Sequence, residues 1–385
     1  MRDTADVVII GAGIVGASIA FNLTAQGCCD VVLVEREAHQ GLGSTGRSMG
    51  GVRAQFTTDV SIHMSLYSIP FYARFEAETG FPSEYRPHGY LFVASAERHM
   101  EYLRANVARQ QALGLRDVRL VTREEIVAMV PMLRSDDILG GSFCPTDGFV
   151  DPYSVMTGYT QGAVARGATL VKRAEVTGLD IEAGRITAVR TTAGRIATRV
   201  VVNAAGAWAA SVARLAGVDL PVTPQRRMLV PTESFPGLPE QLPMTIDMAT
   251  GFHFRPEANG LLMAWNDPAQ TMGFNTEVDP RFVERILEKA VERFPAFVDL
   301  PVNPKRAWAG LYEMTPDHHG ILGPSGVEGF YLANGFSGHG VMHSPATGRV
   351  LADLILHGRC DVIPWHALGF ERFARGELIH EQALL

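Results

Sequence analysis

The stretch VVIIGAGIVGASIAFNLTAQG, residues 7–27, constrains this chain more than any other. Val7 to Ile10 is an unbroken apolar run, the pattern of a parallel strand covered on both faces. Gly11, Gly13 and Gly16 follow, and an apolar helix starts at once through Ile14, Ala17, Ile19, Ala20 and Leu23, with Gly27 suited to its C-cap. In such a unit the first glycine permits the tight turn. The second lets the backbone approach a diphosphate, and the third lets the helix pack on the strand. The N–H groups at the helix start, with the helix dipole, then favour negative charge. Alone, the spacing also fits a plain strand–helix turn.

Glu35 narrows the choice. It ends a second apolar strand, Val31 to Val34, 19 residues past Gly16. An acid there accepts ribose hydroxyls and repels a 2′-phosphate, so an adenine dinucleotide without that phosphate is expected despite Arg36. The motif does not separate NAD from FAD. GSTGRSMGGVRAQF (43–56) supplies small and hydroxyl residues able to approach a long cofactor, or simply a flexible glycine loop. NGFSGHGVMHSPATG (334–348) again sets a glycine-rich turn before a helix, where backbone N–H groups could hold charge on a reduced ring. Two cradles over 300 residues apart suit a cofactor with two ends.

Composition excludes several alternatives. With 385 residues, 46% hydrophobic and 19% charged, the chain can build a substantial core, and two domains, possibly interleaved, are expected. A net charge of −7 without a Lys/Arg cluster argues against a nucleic-acid surface. Cys28, Cys29, Cys144 and Cys360 form no CxxC pair and no metal spacing, which reads as reduced thiols in a cytoplasmic protein. The His318–His319 doublet lacks acidic or Cys partners at ligand spacing, so no metal site is expected. The apolar N-terminal run is flanked by Asp3 and Asp6, broken by glycine and too short to span a membrane.

Further along, periodicity and punctuation predict helices from about Ile62 to Thr79, over 97–113, Arg123–Val130, from Pro152 to near Gly167, and over 280–295. Strands are expected at 89–95, through 169–202 and in the Pro-rich stretch 218–268.

Together these motifs, with GYLFV, VVNAAGAW, FHFRPEANG and WAGLYEMTPD, resemble the flavoprotein family of D-amino-acid oxidase, glycine oxidase and sarcosine oxidase over nearly the whole length. PTDGFVDPY, WAGLYEMTPD and GFSGHG are most similar to the β subunit of sarcosine oxidase and of archaeal L-proline dehydrogenase. The resemblance implies an α/β (α+β) fold. A Rossmann-like FAD-binding domain from roughly 1–85, 140–218 and 306–385 would interleave with a mixed or antiparallel-sheet substrate domain from 86–139 and 219–305.

It also implies non-covalent FAD in an extended pose. Gly11, Gly13, Ile14, Val15, Gly16, Glu35 and Arg36 would meet the adenosine diphosphate end. Ser44, Thr45, Arg47, Ser48, Gly50 and Gly51 would approach the middle and the flavin edge. Val176 would contact adenine through its backbone, and Ala205, Gly206 and Trp208 would line the same end. Gly335, Phe336, Ser337, Gly338, His339, Gly340, Val341 and Met342 would hold the ring. Gly310 takes the place of the cysteine that links FAD in monomeric sarcosine oxidase, and no histidine matches the one used near Arg47 by dimethylglycine and sarcosine dehydrogenases. Two lysines of monomeric sarcosine oxidase fall near Leu262 and at Met342, which fits a dehydrogenase or a subunit passing electrons elsewhere.

The implied reaction oxidises the C–N bond of a small secondary amine or amino acid, sarcosine- or proline-like, to an imine with hydride transfer to flavin. Arg53 matches the arginine that binds the substrate carboxylate. Arg255 could hold a second carboxylate or simply pair with Glu257, His253 and His339 could be polar lining, and Tyr312 and Trp308 could wall the pocket. O2 or a separate acceptor, and a partner subunit, would take the electrons. The alternatives are a glycine or D-amino-acid oxidase, a 2-hydroxy-acid oxidoreductase, and a non-catalytic flavoprotein assembly factor.

Overall fold

The computed structural model describes residues 2–235 and 237–379. Residue 1 and residues 380–385 of the expected FAD-binding segments lie outside the described residues.

The apolar runs form the sheet they predict. Val7–Ile10 is buried throughout and lies at the centre of a six-stranded sheet among the described residues. Its spatial order is Ile321–Pro324, Phe330–Asn334, Val200–Asn203, Val7–Ile10, Val31–Glu35 and Thr169–Lys172. All neighbours run parallel except the edge strand Ile321–Pro324. The first helix, Ile14–Ala25, is buried on nearly every face because it packs between Pro152–Ala165 and Gly340–His357. Ser18 Oγ donates to the Ser344 carbonyl at 2.7 Å, which fixes the two cradle helices to each other.

An eight-stranded mixed sheet faces the first. Its order is Trp308–Met314, Thr223–Pro231, Gly260–Ala264, His253–Glu257, Met244–Asp247, Tyr90–Ala94, Gly140–Cys144 and Arg119–Val121. Only the Met244–Asp247/Tyr90–Ala94 pairing is parallel. A separate core of phenylalanines, including Phe252, Phe254, Phe282, Phe294 and Phe297, fills the space between this sheet and the helix Pro280–Arg293.

Two strands lie at the expected edges near 140 and 306. Gly140–Cys144 pairs with both Tyr90–Ala94 and Arg119–Val121. Trp308–Met314 pairs along its whole length with Thr223–Pro231. Ladder hydrogen bonds thus place both strands in the mixed sheet. The expected helix from Ile62 to Thr79 starts earlier, at Asp59, and breaks at Arg74 into Asp59–Ala73 and Phe75–Thr79. No helix among the described residues is long and apolar enough to cross a membrane.

Candidate active site

Between the two sheets runs an elongated cavity of about 460 Å³. One end is the glycine turn. Gly11 takes φ +99°, and a Cβ there would fall 2.4 Å from the Ala204 carbonyl oxygen, so only glycine fits. A Cβ at Gly16 would sit 2.0 Å from the Gly11 carbonyl, which shows how tightly the helix seats on the turn. Gly13 opens into the cavity, its only close neighbour being Thr45 Oγ1. That hydroxyl accepts the Ile14 N–H at 3.0 Å and so caps the helix from another segment.

Glu35 stands at the end of its strand beside this turn. One carboxylate oxygen accepts the Ala12 N–H at 3.3 Å, the other the Glu37 N–H at 3.0 Å. The carboxylate is thus held at the cavity wall, where a ribose would meet it. Arg36 Cζ lies over the Trp208 ring, 3.7 Å from its centroid, and Phe274 stacks on that ring at 5.6 Å. Val176, Ala205 and Gly206 complete this end.

The loop from Gly43 to Arg47 forms the middle wall. Ser44 Oγ donates to Leu311 O at 2.6 Å, Arg47 Nη1 donates to Ala309 O at 2.6 Å, and Trp308 Nε1 donates back to Arg47 O at 3.2 Å. The loop is therefore strapped to the strand Trp308–Met314, with Gly310 against the Arg47 side chain. Trp308 itself does not line the cavity, and neither does any of the four cysteines.

At the far end the segment Phe336–Met342 enters the cavity wall with the N-terminus of the helix Gly340–His357. Glu313 holds its approach: a side-chain oxygen accepts the Gly335 N–H at 3.0 Å, and the Glu313 carbonyl accepts the Ser337 N–H at 3.1 Å. Burial pushes the Glu313 carboxyl up to about 7. Gly16, Gly50 and Gly335 do not reach the cavity. They shape its wall from behind, Gly50 lying against Val150 O and Gly335 against Thr315.

Beyond this segment the mixed sheet closes the chamber with Tyr90, Arg227, Met244, His253, Trp265, Asn266 and Tyr312, and Arg53 joins them from the other side. Arg53 is buried, lies 4.5 Å over the Phe56 ring, and has an Nε with no hydrogen-bond partner. His253 donates through Nδ1 to the Gly251 carbonyl at 3.0 Å, because a carbonyl can only accept. Burial, then the charges of Arg53 and Arg227, draw its imidazole down to about 4, so the ring is neutral and its Nε2 is an acceptor. Burial and the Arg53 charge also hold His339 well below the usual imidazole range.

Sequence reading named Arg255 beside Arg53. The structure puts Arg255 off the cavity, donating to Met49 O at 2.6 Å and to Pro256 O at 2.8 Å and paired with Glu257. Of its two expected roles the pairing is the one found. Arg227 was missed. Its signal was the doublet Arg226–Arg227 in a strand, where alternation sends one side chain each way. Arg226 binds Gln270 and the Glu277 carbonyl, while Arg227 lines the cavity.

Comparisons with known proteins give the family and the fold. The family model described as FAD dependent oxidoreductase (DAO) matches residues 6–354. FAD-dependent oxidoreductase domain-containing protein 1 of Xenopus laevis is 31% identical, covering 100% of this chain and 85% of that protein. Mouse mitochondrial sarcosine dehydrogenase is 30% identical over 93% of this chain, which spans 40% of that protein. Among solved structures, L-proline dehydrogenase from P. horikoshii superimposes with a TM-score of 0.92 at 30% identity, covering 98% of this chain and 100% of that one.

Proposed function

The chain belongs to the DAO family of FAD-dependent oxidoreductases, and on that premise we propose that it oxidises the C–N bond of a small secondary amino acid, sarcosine- or proline-like, to an imine. One observation carries the substrate's acid group. The described residues include four buried arginines, Arg53, Arg255, Arg293 and Arg372. Arg255 pairs with Glu257, Arg293 with Asp137 and Asp247, and Arg372 with Asp317. Arg53 has no carboxylate partner among the described residues, and its Nε is orphaned at the cavity wall. A buried guanidinium left unpaired is costly, and a substrate carboxylate would satisfy it with a planar, charge-assisted fork.

The cradle fits FAD: Gly11 to Val15 and Glu35 would hold its adenosine diphosphate end, Arg36 and Trp208 would flank it, and Ser44 to Arg47 and Phe336 to Met342 would hold the rest. When bound, FAD supplies the acceptor for a hydride equivalent from the substrate carbon next to nitrogen. Arg53 orients that carbon by fixing the carboxylate. His253 Nε2, a neutral acceptor, receives the proton of the substrate N–H. Tyr312, Met244 and Trp265 wall the chamber and exclude water until the imine leaves to be hydrolysed. No lysine lines the cavity among the described residues, which supports an electron acceptor other than O2 and a partner that carries it.

The test is anaerobic. The purified flavoprotein is mixed separately with sarcosine, L-proline, glycine, several D-amino acids and 2-hydroxyglutarate. Bleaching of the flavin by a secondary amino acid, with slow return of colour in air, is the expected result. Bleaching by 2-hydroxyglutarate alone would replace the amine reading. A flavin that only dithionite reduces would remove it.

A further inference from the structure

Arg227 lies in the strand Thr223–Pro231, opposite Gly310 in the neighbouring strand. Glycine there leaves its side chain free to turn along the sheet face into the cavity, where it lies 5.0 Å from the Tyr312 ring centroid. Among the described residues its side chain makes one hydrogen bond, from Nη1 to the Arg226 carbonyl at 3.2 Å, and its buried Nε has no partner. The acid whose charge bears on it, Asp267, is already bound by Arg285 at 2.5 Å and by the Ala269 N–H at 2.9 Å.

The chamber therefore has two guanidiniums, each with an orphaned Nε and no ion pair among the described residues. Both line the cavity with His253, and Arg227 stands on the same sheet face as His253, two residues from Leu229 in the row Leu229–Ala264–His253, so they share one end of the cavity. That end belongs to the mixed sheet, whereas the diphosphate cradle belongs to the parallel sheet. One monocarboxylate cannot neutralise both. We infer that Arg227 is the anchor for a second acid group, and that the secondary amino acid the site prefers carries a second carboxylate, one acid on Arg53 and one on Arg227. This inference rests on the reading that Arg53 holds the first. Arg227 is then a specificity residue: it adds a charge-assisted fork for a diacid and gives a monoacid nothing.

The test reads binding, not turnover. The visible spectrum of the FAD-loaded protein is titrated with glutarate, an inert diacid, and with butyrate, an inert monoacid of similar length. Glutarate is expected to bind about 10–100-fold more tightly, the worth of one further charge-assisted contact. Arg227→Gln should bring glutarate close to butyrate while butyrate and flavin content stay as in the wild type, and Arg227→Lys should restore part of the difference. Equal affinity for the two acids in the wild type would overturn the inference. So would an Arg227→Gln protein that loses both ligands alike or sheds its flavin. Arg53→Gln separates the two claims: it should weaken butyrate and glutarate together, and if butyrate is unaffected the reading of Arg53 fails while the Arg227 result still stands on its own.

Discussion

The Arg53 Nη2 stands 3.5 Å from His339 Nε2, at the residue that caps the helix Gly340–His357. A guanidinium has no acceptor, so the imidazole nitrogen faces it as a lone pair. The pair joins the arginine proposed for the substrate to the helix end proposed for the flavin ring, without neutralising the arginine. Arg53→Lys keeps the charge and removes the fork. It is expected to raise KM by about 10–100-fold with flavin content unchanged, measured by steady-state kinetics and by the ratio of visible to ultraviolet absorbance. A loss of flavin would reassign Arg53 to the cofactor.

His253 is neutral across the working pH range because burial and two arginines draw it down to about 4. His253→Phe should lower the rate of flavin reduction at saturating substrate by about 10²–10⁴ while inert-carboxylate binding changes little, read by stopped-flow absorbance. Reduction as fast as in the wild type would show that the substrate proton leaves by another route.

Gly11→Ala forces an L side chain to φ +99° and drives its Cβ to 2.4 Å from Ala204 O. We expect a loss of roughly 1–3 kcal/mol and a protein isolated with little FAD, seen as a lower Tm and a weak flavin spectrum. Gly27→Ala is the control, since nothing lies within 4 Å of a Cβ there, although its φ is also positive at +95°. The excess effect at Gly11 over Gly27 measures the close approach itself.

Asp147 is fully buried, accepts the Ala54 N–H at 2.8 Å and the Gln55 side chain at 3.0 Å, and burial pushes its carboxyl up to about 7. The unfolded chain loses that proton near 4. Between these values the folded state binds more protons, so stability falls as pH rises from about 4 through 7 and levels off above. Asp147→Asn should make that part of the Tm profile shallower, leaving the share of Glu313, whose carboxyl burial also raises to about 7. A mutant profile parallel to the wild type's would mean that Asp147 ionises at its ordinary value.

The parallel sheet and its cradle were legible because they rest on local rules: an unbroken apolar strand, glycines at fixed offsets and an acid at the next strand end. The chamber over the flavin end was not, because its residues converge only through sheet register. Arg227 turns inward and Arg226 outward for a reason visible only once Gly310 is seen opposite. Arg255 and Arg53 look alike in sequence; Glu257, two residues from Arg255, takes one of them out of the site. Which sheet the segments near 140 and 306 join was not legible for the same reason, since strand partners far apart in the chain decide it.

The central claim is that Arg53 holds the carboxylate of an amine whose C–N bond is oxidised. Its most direct test is anaerobic stopped-flow reduction of the flavin by the fastest-bleaching secondary amino acid and by that compound's uncharged amide. The account predicts that the acid reduces the flavin about 10²-fold or more faster at equal concentration, and that Arg53→Gln abolishes the difference. Equal rates for acid and amide in the wild type would contradict it.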